Sequence, residues 1–364
     1  MKIIVAGGGT AGHVNAGITI LDEIKKKYPK TKTLFIGTKR GLEKDLVPKA
    51  GYDVKFIRAR GLNRESFFVL FYSLCLIPFS IIHSLFIILK FKPDAVIGVG
   101  GFASGPFVLA GSLLRKPIFL LEQNAVMGFT NRMLIRFAKK IFVAFPLANI
   151  KKSDAHKAVI TGNPIRSSIS PSSRYKETKL KKDTLNIFVF GGSQGARAIN
   201  NCIAAAIPAL NKLKSIKIIH QTGKPDHQKM IEAYKDAKFE YEVHDYIYGI
   251  NKIYDQTDLV IARSGASTIF ELIAARVPSI LIPLPTAADN HQYYNALFLS
   301  EKGGTELIEQ KKVRVELLLE RISYYQGHMN ELDNMSNKLK QIEFSKKRPE
   351  QIIIETIESV INVR

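Results

Sequence analysis

A short apolar run leads directly into a glycine-rich turn at Lys2-Ile3-Ile4-Val5-Ala6-Gly7-Gly8-Gly9-Thr10-Ala11-Gly12-His13. The run is typical of a buried parallel strand, and a helical pattern over residues 16–27 follows the turn. Gly7, Gly9 and Gly12 have the G-x-G-x-x-G spacing of a turn that brings a phosphate close to a helix N-terminus. The stretch therefore predicts the start of a doubly wound α/β domain.

The same arrangement recurs later in the chain. A second turn, Gly191-Gly192-Ser193-Gln194-Gly195-Ala196-Arg197, lies between an apolar strand and a helical pattern. Short apolar runs alternate with longer helical patterns on both sides of a polar stretch at residues 167–183, which is typical of a linker or surface loop. Because 364 residues suit two domains of ordinary size, the sequence predicts two such domains in succession.

A G-x-G-x-x-G turn most often marks a dinucleotide site. Such a site needs an acidic residue at the end of the second strand to hold the ribose, and here that strand ends Ile36-Gly37-Thr38-Lys39-Arg40. Lys39 and Arg40 have the charge to hold a 2′-phosphate. An NADP-dependent oxidoreductase therefore stays open as an alternative.

The chain is strongly basic, with 53 Lys and Arg against 32 Asp and Glu and a net charge of +21. Residues 1–150 hold 22 Lys and Arg against 8 acids, so most of the excess lies in the first half. Nucleic acid, an anionic membrane and phosphorylated substrates all suit such a charge. No motif of interleaved aromatic and basic residues appears, so we do not predict nucleic-acid binding.

Residues 67–89 contain no Asp, Glu, Lys or Arg. Pro78 interrupts the segment, and it lies between two predicted strands of one sheet, so we do not expect it to span a bilayer. Arg58, Arg60 and Arg64 precede it, and Lys90 and Lys92 follow it. An apolar surface ringed by cations predicts a pair of peripheral helices on anionic lipid, and helices buried within the protein are the alternative. The N-terminus lacks the features of a signal peptide, which predicts a cytoplasmic protein.

Polar groups follow several strands, at the sheet edge where open α/β folds bind ligands. The planar fork of Arg166 suits a diphosphate, and Glu271, near the first turn of a helix, suits ribose hydroxyls. No Asp-x-Asp triplet or His/Cys cluster has metal-ligand spacing, so we predict no metal and no cofactor. The polar groups lie in the runs Glu122-Gln123-Asn124, Gly162-Asn163-Pro164-Ile165-Arg166, Arg263-Ser264-Gly265-Ala266-Ser267-Thr268-Ile269-Phe270-Glu271 and Asp289-Asn290-His291-Gln292.

Together these motifs resemble those of the MurG family, the N-acetylglucosaminyltransferases that convert lipid I to lipid II in peptidoglycan synthesis. The resemblance extends over nearly the whole chain. In order, it rests on Gly-Gly-Thr-x-Gly-His at 8–13, Gly-x-Gly-Gly-Phe-x-Ser-Gly-Pro at 98–106, Glu-Gln-Asn at 122–124, Gly-Asn-Pro-Ile-Arg at 162–166, Gly-Gly-Ser-Gln-Gly-Ala-Arg at 191–197, Arg-Ser-Gly-Ala at 263–266 and His-Gln-x-x-Asn-Ala at 291–296.

The resemblance implies a GT-B fold, in which two Rossmann-like domains face a central cleft. Residues 1–164 are expected to bind the lipid-linked acceptor and the membrane, and residues 165–344 to bind UDP-N-acetylglucosamine. A helix within 345–364 is expected to pack back on the first domain. The resemblance also implies a peripheral location on the cytoplasmic face of the inner membrane.

Site residues carry over from the resemblance position by position. The implied reaction is inverting transfer of N-acetylglucosamine to the C4 hydroxyl of the N-acetylmuramoyl unit of lipid I. His13 is the expected catalytic base, with Glu122 as the alternative. A UDP-N-acetylglucosamine 2-epimerase, which shares the fold and the donor, is the other alternative. The expected substrate-binding residues are Thr10, Ala11, Gly12, Asn124, Arg166, Ser193, Ile247, Ala266, Ser267, Thr268, Ile269, Phe270, Glu271 and Gln292.

Overall fold

The computed structural model describes residues 1–60, 67–147, 149–166, 168–169, 184–213 and 215–361, with the side chains of α3 described from Cys75 onward. These residues form two compact units. Unit 1 comprises Met1–Arg166 and Phe344–Arg364, and unit 2 comprises Ser167–Glu343. Most of the predicted polar linker at 167–183 lies outside the described residues.

Unit 1 is built on a parallel sheet of seven strands in the order β3-β2-β1-β4-β5-β6-β7. This order, reversing direction beside β1, is that of a doubly wound domain. Its strands are β1 (Lys2–Gly7), β2 (Lys32–Gly37), β3 (Val54–Phe56), β4 (Ala95–Gly100), β5 (Ile118–Glu122), β6 (Lys140–Val143) and β7 (Ala158–Ile160). The helices between them are α1 (Ala11–Lys27), α2 (Glu43–Lys49), α3 (Phe67–Phe91), α4 (Ser104–Leu113) and α5 (Phe129–Leu134).

Unit 2 repeats the plan with six parallel strands in the order β10-β9-β8-β11-β12-β13. The predicted α/β architecture of two parallel sheets is thereby confirmed. Its strands are β8 (Leu185–Phe190), β9 (Ile216–Gln221), β10 (Glu240–His244), β11 (Leu259–Ala262), β12 (Ser279–Leu281) and β13 (Thr305–Leu307). Its helices are α6 (Arg197–Leu210), α7 (His227–Tyr234), α8 (Ile250–Gln256), α9 (Ala266–Ala275), α10 (His291–Glu301), α11 (Val315–Gly327) and α12 (Met329–Lys340).

The last helix, α13 (Pro349–Ile361), belongs to unit 1 although the chain reaches it after unit 2. Ile353, Ile354 and Ile357 are buried in one core cluster with residues of α1 and of the sheet. Two ion pairs fix the helix to α1, between Arg348 and Glu23 at 2.9 Å and between Lys27 and Glu358 at 2.8 Å. Apolar burial supplies most of the attachment, because exposed ion pairs add little stability.

The apolar segment forms one helix rather than the predicted pair. α3 continues through Pro78, so the one backbone hydrogen bond that proline removes is outweighed by packing. Ile87 and Ile88 lie in a core cluster with residues of α4 and the sheet, whereas Phe79 and Phe86 are 69% and 68% exposed. Among the described residues, no helix has both the length and the apolarity needed to cross a bilayer.

A chain of buried polar groups lies beneath the second glycine turn. The hydroxyl of Tyr234 and Nδ1 of His220 are 3.1 Å apart, and Nε2 of His220 is 3.1 Å from Oδ1 of Asn200. The amide nitrogen of Asn200 then donates to the carbonyl of Thr222 and to Asp226, both at 2.9 Å. Burial lowers the pKa of His220 to about 3, so the imidazole is neutral in the folded protein.

The lowered pKa of His220 predicts an acid-dependent loss of stability. An unfolded histidine has a pKa of about 6.5, so the unfolded state takes up a proton below that pH and the folded state does not. We expect the free energy of unfolding to fall by about 1.4 kcal/mol, because of this residue alone, when the pH is lowered from 7.5 to 5.5. Denaturant titrations of His220→Gln at both pH values should show a drop smaller by that amount. The exposed His328→Gln is the control and should behave as wild type; equal drops in all three proteins would contradict the prediction.

Candidate active site

The first glycine turn connects β1 to α1 and positions Thr10 and His13. Gly9 has a φ of +86°, a conformation that favours glycine. Thr10 is the N-cap of α1, and its Oγ1 accepts from the backbone N–H of His13 at 3.5 Å. The same Oγ1 lies 3.0 Å from Nδ1 of His13. Thr10 therefore orients the imidazole from both its backbone and its ring.

The loop that contains Gly100 and Gly101, at the end of β4, lies on the other side of this histidine. The N–H of Gly8 donates to the carbonyl of Gly100 at 3.1 Å. A Cβ at Gly100 would lie 2.8 Å from Nε2 of His13, and a Cβ at Gly101 would lie 2.1 Å from the carbonyl oxygen of Gly8. Only glycine at positions 100 and 101 allows the two loops to approach so closely. The imidazole thus packs against backbone.

The Glu122-Gln123-Asn124 run lies beside the turn, at the carboxyl end of β5. The side-chain amide of Gln123 donates to the carbonyl of Gly12 at 3.3 Å, which joins the run to the first turn of α1. Thr10, Ala11, Gly12, His13 and Asn124 are therefore brought to one edge of the unit 1 sheet. Arg166 lies elsewhere on that sheet, after the edge strand β7, with three strands between β7 and β1.

Glu122 is buried in hydrogen bonds of its own loop. Oε1 accepts from the backbone and side-chain amides of Asn124 at 3.0 and 3.4 Å. Oε2 accepts from the backbone of Gly128 and from the side chain of Asn131, both at 2.9 Å. Burial raises the pKa of Glu122, while these donors act in the opposite direction. With both oxygens so engaged, its contacts favour a role in holding the loop over one as catalytic base.

The second glycine turn connects β8 to α6 in unit 2. A Cβ at Gly195 would lie 1.9 Å from the carbonyl oxygen of Thr222, so the turn rests directly on the backbone after β9. Gln221 ends β9 and bridges two predicted site segments: its amide nitrogen donates to the carbonyl of Gly192 at 3.1 Å, and its oxygen accepts from the N–H of Ile247 at 2.9 Å. Ser193 and Ile247 are thereby tied to one framework.

The predicted donor-binding run 266–271 forms the first part of α9. Ala266, Ile269 and Phe270 have buried side chains, so only their backbones can face a ligand. Ser267, Thr268 and Glu271 are half-buried. Glu271 is the sixth residue of the helix and lies in its second turn, later than the sequence predicts. The hydroxyl of Tyr254 donates to its Oε2 at 3.1 Å and orients the carboxylate.

Gln292 lies at the start of α10, after two residues with left-handed backbone. Asp289 and Asn290 have φ values of +51° and +53°, a left-handed conformation that non-glycine residues seldom adopt and that Asn and Asp tolerate best. The side-chain oxygen of Gln292 accepts from the N–H of Leu284 at 3.0 Å, and its carbonyl accepts from the hydroxyl of Ser264 at 2.7 Å. Gln292 is thus held next to the residues that precede α9.

The structure adds contacts of three residues that are not among the expected catalytic and substrate-binding residues. Arg263 is almost fully buried, donates to the carbonyls of Ile282 and Pro283 at 3.0 and 3.1 Å, and has its pKa lowered by burial. Gln221 lies at a strand end, a position that the ligand-edge rule identifies. Glu43 accepts from the N–H of Gly9 at 2.8 Å, and no local sequence pattern indicates this contact across 34 residues.

The site groups suit acid–base chemistry and the binding of hydroxyls and phosphates. Unit 1 places an imidazole at a hydroxyl N-cap, and unit 2 places helix N-termini beside amide and carboxylate groups. Across the described ranges, no three His, Cys, Asp or Glu side chains converge as metal ligands would.

Two family models match the chain. The glycosyltransferase family 28 N-terminal domain matches residues 3–143, within unit 1. The glycosyltransferase family 28 C-terminal domain matches residues 186–352, which cover most of unit 2 and the start of α13. Together the two matches extend over most of the chain.

Curated relatives and solved structures agree with these models. A UDP-N-acetylglucosamine–N-acetylmuramyl-(pentapeptide) pyrophosphoryl-undecaprenol N-acetylglucosamine transferase of Anaeromyxobacter sp. strain Fw109-5 is 40% identical over 92% of this chain and 88% of that relative. The enzyme of the same name from Thermodesulfovibrio yellowstonii is 38% identical over 99% of both chains. The crystal structure of Acinetobacter baumannii MurG superposes with a TM-score of 0.78, at 28% identity over 98% of this chain and 99% of that one.

A UDP-GlcNAc 2-epimerase from Neisseria meningitidis shares the fold, with a TM-score of 0.64 over 99% of this chain and all of that one, but it is only 13% identical. The N-acetylglucosamine transferases named above are much more similar in sequence, and their matches extend along both units. The chain therefore belongs to glycosyltransferase family 28 and, within it, to the MurG family of N-acetylglucosamine transferases.

Proposed function

We propose that this protein transfers N-acetylglucosamine from UDP-N-acetylglucosamine to the C4 hydroxyl of the N-acetylmuramoyl unit of lipid I, which yields lipid II for peptidoglycan synthesis. The observation that carries the proposal is the 40% identity to a transferase of that name over 92% of the chain. Both glycine turns and every predicted site residue lie at the carboxyl ends of strands or in the loops and helices that follow them, as ligand groups do in this fold.

Unit 2 is the proposed donor site. Ser193 and the N-terminus of α6 face the diphosphate, where N–H groups and the helix dipole favour negative charge. The backbone of Ile247 forms a hydrogen bond with the edge of the uracil. Because the N–H of Ile247 already donates to Gln221, the carbonyl of Ile247 is the group that accepts from the uracil. The carboxylate of Glu271, oriented by Tyr254, accepts from the ribose hydroxyls. The 266–270 segment and Gln292 complete the donor contacts.

Unit 1 is the proposed acceptor site, with His13 as the base. We assign the ring proton of His13 to Nδ1, which lies 3.0 Å from Oγ1 of Thr10. Nε2 then has the lone pair that takes the proton from the C4 hydroxyl. The hydroxyl oxygen attacks C1 of the sugar from the face opposite UDP, the bond between C1 and the diphosphate oxygen breaks, and UDP departs with that electron pair. Thr10, Ala11, Gly12 and Asn124 position the reacting groups, and Arg166 offsets the charge of the diphosphate.

The outer side of α3 is the proposed membrane surface. Phe79, Ile82, Phe86 and Leu89 are all more than half exposed and follow one another at helical spacing. Lys90 and Lys92, at the end of the helix, and Arg58 and Arg60, before it, are exposed. This combination supports peripheral binding to anionic lipid on the cytoplasmic face of the membrane, where a lipid-linked acceptor is reached.

Transfer itself tests the proposal. We expect the purified protein to convert lipid I and UDP-N-acetylglucosamine to lipid II and UDP in detergent or vesicles. UDP should raise its melting temperature and NADPH should not, because a transferase binds UDP whereas the alternative oxidoreductase would bind NADPH. Formation of UDP-N-acetylmannosamine with no transfer would support the epimerase instead. Stabilisation by NADPH alone would support the oxidoreductase.

Two substitutions distinguish the candidate bases. His13→Ala should lower kcat by about 10²- to 10⁴-fold, the usual contribution of a general base. Glu122→Gln should lower the melting temperature, because an amide nitrogen then faces the N–H donors of its loop, yet leave kcat within about fivefold of wild type. Steady-state kinetics with thermal unfolding of each variant make the comparison. A near-normal kcat in His13→Ala, with a large loss in Glu122→Gln, would reverse the assignment.

A second pair of substitutions tests the membrane surface. Phe79→Asn with Phe86→Asn should weaken binding to phosphatidylglycerol vesicles at low salt by at least about tenfold, because each buried aromatic ring contributes about 1.5–3 kcal/mol. Tyr324→Asn, an exposed aromatic of unit 2, is the matched control. Vesicle co-sedimentation measures both. A wild-type protein that binds anionic and zwitterionic vesicles equally at low salt would contradict the prediction.

A further inference from the structure

Glu43 is a buried acid of unit 1 that the proposed function does not use. It is the first residue of α2, and its side chain is fully buried. Oε2 accepts from the N–H of Gly9 at 2.8 Å, and Oε1 accepts from the N–H and the hydroxyl of Thr38 at 2.7 and 2.9 Å. The three groups that contact the carboxyl oxygens belong to two residues and all donate, so both oxygens act as acceptors.

Three glycines make room for this carboxylate. A Cβ at Gly8 would lie 2.4 Å from a carboxyl atom of Glu43, one at Gly41 would lie 2.0 Å from Oε2, and one at Gly37 would lie 2.2 Å from Cγ. The first glycine turn, the end of β2 and the loop before α2 therefore all close on one side chain. Such a compartment fixes the position of the carboxylate.

The carboxylate contacts the first glycine turn, the type of turn that holds a phosphate in nucleotide-binding folds. A glycine turn before a long helix attracts an anion through its N–H groups and the helix dipole. Here Gly9 gives its N–H to Glu43, so the chain supplies an anion of its own at this turn. A dinucleotide pyrophosphate placed there would meet a buried negative charge, which also argues against the oxidoreductase.

The turn held by Glu43 is the one that carries the proposed base. Gly9 precedes Thr10, whose Oγ1 lies 3.0 Å from Nδ1 of His13. Gly8 donates to the carbonyl of Gly100, against which the imidazole packs. A shift of Gly8 and Gly9 would therefore move the imidazole, both through its contact with Thr10 and through its packing against Gly100.

We infer that Glu43 is a positioning residue for the transfer reaction: its carboxylate fills the anion position of the first glycine turn and so fixes Thr10 and His13. The inference rests on the proposed function, since it concerns the base of that reaction.

Glu43→Gln is the direct test. Glutamine has a single acceptor oxygen, so its amide nitrogen must face the N–H of either Gly9 or Thr38, and the bridge from the turn to Thr38 is broken. We expect kcat to fall by about 10- to 100-fold, the cost of a small misplacement of a catalytic group. The KM for UDP-N-acetylglucosamine should stay within about twofold, because unit 2 holds the donor groups. Thr38→Val, which removes only a hydroxyl donor, should lower kcat less.

A glycine substitution moves the carboxylate without removing it. The new methyl of Gly41→Ala would overlap Oε2 of Glu43, so this variant should reproduce the kcat loss even if Glu43→Gln does not fold. Gly327→Ala is the matched control, because a Cβ there meets nothing within 4 Å. A Gly41→Ala protein with wild-type kcat would overturn the inference.

A double-mutant cycle with His13→Ala separates positioning from general stability. If Glu43 acts through His13, then Glu43→Gln should change the kcat of His13→Ala by less than about twofold. A full multiplicative loss would overturn the inference. Failure of the wild type to make lipid II would refute the proposed function. An active wild type whose Glu43→Gln variant has normal kcat would refute this inference alone.

Discussion

Each unit depends on a backbone-to-backbone approach that only glycine permits. In unit 1 the loop after β4 lies so close to the first glycine turn that a Cβ at Gly101 would overlap the carbonyl of Gly8. In unit 2 the second turn lies equally close to the backbone after β9, through Gly195 and Gly223. In both units the approach joins the loop after the first strand to the loop after a neighbouring strand, and the predicted site residues Thr10 and Ser193 lie on the first of these loops.

The two turns are braced by side chains of opposite chemistry. In unit 1 the acidic Glu43 accepts from the turn and takes an N–H that could otherwise meet a phosphate. In unit 2 the amides of Asn200 and Gln221 donate to carbonyl oxygens of Thr222 and Gly192, so these side chains do not compete for the N–H groups of the turn. This difference is consistent with a phosphate ligand in unit 2 and a hydroxyl ligand in unit 1.

The sequence predicts most of the fold because its signals are local. Apolar runs before glycine turns identify β1 and β8, the first strand of each sheet in chain order. The single helix α3 was not predicted, because Pro78 normally marks a break and the packing against α4 that overrides it is a tertiary effect. The short edge strands β3, β7 and β13 have too few residues to show a period.

The side chains that hold the glycine turns are harder to predict from the sequence than the strands are. A glutamate at the first position of a helix, such as Glu43, is normally explained by the helix dipole, and nothing nearby indicates partners on two other segments. His220 and Asn200 are separated by 20 residues, and their pairing depends on how α6 lies on β9. Gln221, by contrast, follows from strand position alone. Residues that contact ligands can be predicted from their positions at strand ends. The side chains that hold the glycine turns cannot, because their contacts form only when the sheet and helices are assembled.

Helix α4 connects the proposed membrane surface to the loop that supports His13. This helix begins at Ser104, just after Gly100 and Gly101, and ends at Leu113, which is 63% exposed. Along its length it packs against α3, whose other side carries the exposed Phe79 and Phe86. One rigid helix thus joins the backbone that supports His13 to the proposed membrane surface. Because a packed core moves as a body rather than deforming, binding to a membrane would fix the orientation of the base together with that surface.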